Sequence, residues 1–249
     1  MRFVNAALLS VAVAALAACA AQPIAPEKLT AIKTVVTTVG NDVEFQRVGY
    51  MAFGNGLKSI DISELKIAGF FVERLRKLLG GRYVVKQVAY DAKTFPQDVI
   101  WDRSDASPLS DAKPGGEVIR SHVSPQGLDA YIVVVPYFDG FGTTNQRIEG
   151  FGIVRGSSLF SVHFWLHALY QVVVYDGEYY EPIAYMPAVM PGQGFTEIIR
   201  GPAREVDESY WSDSPDSLSA EQKERLRKAF EDLIDRSLPE TLRQLKLLP

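Results

Sequence analysis

The chain of 249 residues carries 26 basic and 30 acidic residues, a net charge of −4, with 47% hydrophobic and 22% charged positions. That is the balance of a globular protein long enough for one sizeable core or two small ones. The acidic balance, without any cluster of Lys and Arg, excludes a nucleic-acid-binding surface and a polybasic membrane surface. A single cysteine excludes an internal disulfide, so packing has to supply the stability.

That cysteine, Cys19, sets the reading of the N-terminus. Arg2 gives a positive start, Ala7 to Ala18 is apolar apart from Ser10, and small residues precede the cysteine, the layout of a secretory signal. The run is too short, and too soon followed by Pro23 and Pro26, for a membrane-spanning helix. Leu16-Ala17-Ala18-Cys19 resembles a bacterial lipobox. The resemblance implies cleavage before Cys19, lipid on its sulfur and an acylated new N-terminus. In such families an aspartate after the cysteine favours the inner membrane; Ala20 stands there, which implies an outer-membrane, periplasm-facing lipoprotein. The expected division is a signal over 1–18, a tether over 19–28 and one globular domain over 29–249. The tether spans at most about 35 Å, which keeps the domain close to its membrane.

Within the domain, 31–39 reads as a strand and Gly40-Asn41-Asp42 as a turn. Val43 to Phe53 reads as a second strand, ended by Gly54-Asn55-Gly56. Asp61 with Glu64 has the form of a capping box for a helix carrying Ile67, Phe70, Phe71, Leu75, Leu78 and Leu79, stopped by Gly80-Gly81. Tyr83 to Tyr90 is strand-like. Residues 91–115, with Pro96, Pro108 and Pro114 among Asp and Ser, read as a long irregular insertion. Glu117 to Val123 has the look of a short helix. Tyr131 to Phe138 is nearly all apolar, the pattern of a strand buried on both faces. Ser158 to Tyr175 and Glu178 to Met186 read as strands around the hairpin signal Asp176-Gly177. Residues 187–217 read as a second irregular stretch. Ser219 and Gln222 cap a last helix with Leu226, Phe230, Leu233 and Ile234 on one face, ended or kinked by Pro239.

This order predicts an α+β fold: a mixed β-sheet with a β-hairpin and two main helices packed on it. Val48 to Phe53 before a helix, Tyr83-Val84-Val85 after it, and Leu128-Asp129-Ala130-Tyr131 opening a hydrophobic strand are similar to small envelope α/β modules. Those modules are the N-terminal domain of the Tol translocation protein, lipoprotein activators of peptidoglycan synthases and the curli secretion lipoprotein. The insertion at 91–115 departs from them. The resemblance implies partner binding or assembly.

Signatures of catalysis are scarce. The sequence has no Gly-x-Ser-x-Gly elbow and no phosphate loop ending in Gly-Lys-Ser/Thr, and Ser59 stands where Gly54-Asn55-Gly56 would need its third glycine. Gly40-Asn41-Asp42 resembles one block of lipase-like hydrolases, but Ile119, Phe160 and Phe164 occupy the positions three before the histidines, where those enzymes need Asp. His163 and His167 would lie about 6 Å apart on a helix, close enough to share a metal. On a strand they lie roughly 13 Å apart. The β-branched and aromatic surroundings favour the strand, hence no metal site.

On that strand Phe160, Val162, Phe164, Leu166, Ala168, Tyr170, Val172 and Val174 share the core face, and Ser161, His163, Trp165, His167, Leu169 and Gln171 the other. The second face suits a partner; alternatively it lies beneath a helix or the 187–217 stretch with its histidines hydrogen-bonded. Asp176, Glu178 and Glu181 read as solvated turn residues. Tyr210 and Trp211, among Asp207, Glu208 and Asp213, read as a recognition segment or as a flap over the core.

The sequence therefore predicts a lipid-anchored envelope protein with a non-catalytic binding or assembly role. It is joined to the membrane through Cys19 and contacts an envelope protein, or itself, through His163, Trp165, Tyr210 and Trp211. No cofactor, metal or nucleic acid is expected. The rivals are a tethered hydrolase with a site gathered from distant residues, such as a histidine with Asp129 or Asp139, and a homo-oligomeric secretion subunit. A histidine within reach of a carboxylate and a hydroxyl in a deep pocket marks the hydrolase. An open sheet face marks the binder.

Overall fold

The computed structural model describes residues 34–35, 42–49, 55–88, 119–120, 127–142, 144–157, 161–193 and 198–249. Its elements are β1 (Thr34–Val35), β2 (Asp42–Val48), β3 (Gly56–Asp61), α1 (Ile67–Leu79), β4 (Val84–Val85), β5 (Ala130–Pro136), β6 (Phe138–Gly140), β7 (Arg147–Glu149), β8 (Phe151–Ser157), β9 (Val162–Ala168), β10 (Tyr170–Asp176), β11 (Pro182–Pro187), β12 (Ala203–Val206) and α2 (Ala220–Gln244). The fold is α+β, as the sequence predicts: among the described residues two main helices pack with mixed sheets, and the strands form no closed barrel.

One long line of backbone organises it. β9 and β10 are joined by Leu169 alone, so residues 162–176 run on as a nearly unbroken strand. On one side β8 pairs antiparallel with β9 and β5 with β10. On the other side β12 pairs with β9 and β11 with β10. β2 then adds parallel to β8, and β3 closes the five-stranded order β12-β9-β8-β2-β3. Both flanking lines leave the sheet near Leu169. Residues 137–142 and 144–150 fold out around the hairpin β6–β7, and residues 188–193 and 198–202 fold out between β11 and β12. Leu169 N donates to Gly150 O (2.7 Å), Tyr137 N donates to Leu169 O (3.0 Å) and Ala168 N donates to Pro202 O (2.8 Å), which closes the ladder across the bend. The two excursions meet where Gly142 N donates to Ile198 O at 2.7 Å.

The two faces bury different groups. Leu166, Ala168, Tyr170, Val172 and Val174 join Ile132, Val134, Phe151 and Ile153 beneath Phe71 and Leu75 of α1 and Phe230, Leu233 and Leu238 of α2. Phe71 meets the Tyr170 ring edge-on at 4.9 Å, and Phe151 meets Phe230 at 5.5 Å. The expected parity of this strand is correct from Phe164 to Val174, while Val162 at its start is 46% exposed. On the opposite face Tyr131, Val133, Val173 and Tyr175 pack with Val88, Ile119 and Tyr180. Val154 and Leu169 pack with Phe141, Ile148 and Ile199 from the excursions.

Several expectations need correction. The second strand stops at Val48 and pairs antiparallel with β3, a strand the sequence did not announce. Asn55 Oδ1 accepts from Gly49 N at 2.8 Å inside this hairpin. Asp61 does not cap α1: its carboxylate accepts from Ser63 N and opens a 3-10 turn over Ser63–Leu65, after which left-handed Lys66 (φ 55°) resets the chain. Of the strand expected over Tyr83 to Tyr90, the described residues 83–88 form only Val84–Val85, which pair with β1, and residues 89–90 lie outside the described residues. Leu169 divides the strand read over Ser158 to Tyr175. The Asp176 reversal is not a two-residue turn. Asp176 N donates to Glu181 O, the Asp176 carboxylate accepts from Glu178 N and Tyr179 N, and Tyr180 takes the left-handed position (φ 62°). Pro239 does not end α2, which runs on to Gln244 behind the capping box of Ser219 and Gln222. The 187–217 stretch contains β12 and two 3-10 turns. The insertion at 91–115, the tether, and all but Ile119 and Arg120 of the short helix lie outside the described residues.

Candidate functional site

Strand β9 presents His163, Trp165 and His167 on the face away from the helices, with Ser161 just before its first residue, and each meets a different environment. His167 lies at the bend, 1% exposed. One ring nitrogen, Nδ1, is 3.0 Å from Gly150 O and must donate to it, which leaves Nε2 as a bare acceptor without a hydrogen-bond partner among the described residues. The ring lies over Gly152, where a Cβ would come within 2.6 Å of Nε2, so glycine makes its room. Burial pushes its pKa down to about 4, only partly opposed by the bond to Gly150, and the ring is neutral at pH 7.

Trp165 is half-buried, its ring edge-on to Phe141 at 5.1 Å. Gly156 on β8 leaves the space, since a Cβ there would meet the Trp165 ring at 2.9 Å. His163 sits beside Trp165, ring centres 5.5 Å apart and tilted by 31°. Its Nδ1 is 2.6 Å from Glu205 Oε1, and its Nε2 is 2.8 Å from Ser161 Oγ. An ionised carboxylate only accepts, so Nδ1 carries the proton and the Ser161 hydroxyl donates to Nε2. The side chains are open to water, 44% exposed for His163 and 59% for Glu205.

Glu205 was not among the residues singled out from the sequence. β12 delivers it: Glu205 stands opposite Trp165 in the antiparallel ladder, so it shares that face and lies diagonally across from His163. No alternation marked it, since Ala203-Arg204-Glu205-Val206 sets two charges side by side within a Pro- and Gly-rich stretch. Of the carboxylates the hydrolase rival named, Asp139 is held by Arg200 N (2.8 Å) and the Arg200 guanidinium (3.3 Å). The carboxylate beside His163 is Glu205.

Tyr210 and Trp211 stand apart from His163 and Trp165. Trp211 packs on the helix side of the sheet against Phe45 (5.9 Å) and Phe164 (6.0 Å). Its indole N–H donates to Asp213 Oδ1, which also accepts from the Arg47 guanidinium. The Trp211 bond first, and then Arg47, hold the Asp213 carboxyl below its usual range. Tyr210 lies between the Arg204 and Arg225 guanidinium groups, 5.9 and 5.8 Å from its ring centre. The four candidate contact residues therefore form two pairs on opposite faces of β9.

Elsewhere, an open groove of about 590 Å³ lies between the starts of α1 and α2, but Lys223 pairs with Glu64 across it, and Arg227 pairs with Glu224 along α2. Among the described residues no group of three or more His, Cys, Asp or Glu could hold a metal ion, and no helix is long and apolar enough to cross a membrane.

No protein-family model and no curated protein matches the chain. The solved structures that match include two at low identity. One is the hypothetical protein CT253 from Chlamydia trachomatis, at 9% identity and a TM-score of 0.36, covering 86% of this chain and 96% of that one. The other is lipoprotein GNA1162 from Neisseria meningitidis, at 9% identity and a TM-score of 0.26, covering 82% of this chain and 99% of that one.

Proposed function

We propose that this is a lipid-anchored cell-envelope protein, held through Cys19 at the periplasmic side of the outer membrane, that binds an envelope protein through the outer face of β9. The observation that carries the binding role is the uneven cover of that face. Excursion residues Phe141, Ile148 and Ile199 seal it near Leu169, whereas Ser161, His163 and the edge of Trp165 stay open beside Val162. A half-buried tryptophan flanked by a histidine and a carboxylate is the kind of anchor that supplies binding energy when a partner excludes water around it. The lipobox supports the location.

Photo-crosslinking in intact cells tests the face, with the crosslinking amino acid at position 165 and, separately, at position 210 on the other side of the sheet. The expected result is a discrete adduct to one envelope protein from position 165. An adduct to a second copy of the chain replaces the partner with self-association. No adduct at 165, with the protein folded and localised as usual, removes this face from the account.

A further inference from the structure

The three-residue line on the open face has an order that binding alone does not need. We propose that Ser161, His163 and Glu205 form an acyl-transfer relay, with Ser161 as the nucleophile toward small, activated carboxylic esters. This reading goes beyond partner binding and depends on neither the partner nor the anchor.

The geometry is that of an activated serine. Ser161 Oγ is 2.8 Å from His163 Nε2, and His163 Nδ1 is 2.6 Å from Glu205 Oε1. Both lie within the 2.6–3.2 Å reach that links a nucleophile to its base and the base to the group that orients it. The carboxylate fixes the tautomer: with Nδ1 protonated, the Nε2 lone pair faces the serine hydroxyl. Trp165, ring centre 5.5 Å away, flanks the imidazole, so Ser161, Glu205 and the indole together define its orientation. The backbone holds the line. His163 lies in β9, Ser161 immediately precedes that strand at Val162, and the Ala203↔His167 to Val206↔Phe164 ladder sets Glu205 diagonally across from His163.

The chemistry balances without cofactor or redox change. Ser161 Oγ bonds to the acyl carbon while its proton passes to His163 Nε2. The ester C–O bond then breaks, and the departing alkoxide takes that proton. Water repeats the sequence on the acyl-serine, giving up a proton to Nε2, releasing the carboxylic acid and restoring the hydroxyl. Through each half-reaction Glu205 holds Nδ1–H and balances the imidazolium charge.

Openness limits the rate and selects the substrate. Among the described residues no dry cavity surrounds the line, and His163 and Glu205 are open to water, so the gain is that of a positioned base, about 10²–10⁴-fold. That suffices for esters with good leaving groups.

The test uses the full chain purified from membranes in detergent, a fluorophosphonate probe and p-nitrophenyl acetate. The expected result is a covalent adduct that peptide mass spectrometry maps to Ser161. Ester hydrolysis should fall at least tenfold in Ser161→Ala and His163→Gln, and less steeply in Glu205→Gln. Adduct mapping on the unaltered chain keeps the test valid even if a variant misfolds. If Ser161 carries no adduct and Ser161→Ala hydrolyses the ester as fast as the unaltered chain, the relay is overturned. The three residues then only tie β12 to β9, and the crosslinking result at position 165 stands separately.

Discussion

Alanine at Gly177 is expected to destabilise the protein by about 3–5 kcal/mol, enough to leave much of it unfolded. The reason is contact with backbone. A Cβ at Gly177 would lie 1.8 Å from Leu128 O and 2.7–2.8 Å from the carbonyl atoms of Asp129. No rotamer change relieves that, because the obstacle is the chain entering β5, where Gly177 N donates to Asp129 O at 3.0 Å. Making room means prising the start of β5 from the end of β10 and disturbing the stacked Tyr131 and Tyr180 rings, 5.4 Å apart. Gly192→Ala is the matched control: its φ is +79° and nothing stands within 4 Å of its Cβ position, so it costs only the left-handed strain, about 1–2 kcal/mol. Urea unfolding of both variants separates the two costs. Equal midpoints for the pair would refute the close approach.

The second large effect is acid sensitivity from His167. In the unfolded chain its imidazole titrates near 6.5; in the folded protein burial lowers the pKa to about 4. Between these values the unfolded state holds the extra proton, so acid favours unfolding. The stabilising contribution is complete above about pH 6.5 and is lost as the pH falls to about 4, a change of about 3 kcal/mol. His167→Gln separates this from the carboxylates that titrate alongside, since an amide can still donate to Gly150 O but takes no proton. Urea midpoints measured from pH 7.5 to 4.5 should fall more steeply for the unaltered protein than for the variant. Parallel curves would mean that the ring charges in place without cost.

What the sequence made legible follows from how local each cause is. The β9–β10 line was readable because a buried face demands an apolar residue at every second position, and six in a row supplied it from Phe164 to Val174. The α2 start was readable because its cap lies within four residues, Ser219 to Gln222. β3 was not: Gly-Leu-Lys-Ser-Ile-Asp forms an edge strand exposed at nearly every position and carries no alternation. Pro239 misled because its missing N–H would cost a helix bond, yet Asp235, four residues earlier, lies on the exposed side of α2 and pairs with Arg74. At the site, the open face and its histidines were visible in the parity. Glu205 was not, because it reaches His163 only through a register between strands 42 residues apart. The separation of Tyr210 and Trp211 from Trp165 has the same cause: strand parity sends Phe164 and Trp165 to opposite faces, and Trp211 follows Phe164.

The most direct test of the account is the mass of the mature N-terminus, measured on the protein extracted from the membrane fraction. The account requires a chain that begins at Cys19, with acyl chains on its sulfur and on its new amino group. A chain cleaved at another bond, or one beginning at Cys19 with an unmodified thiol, would contradict it.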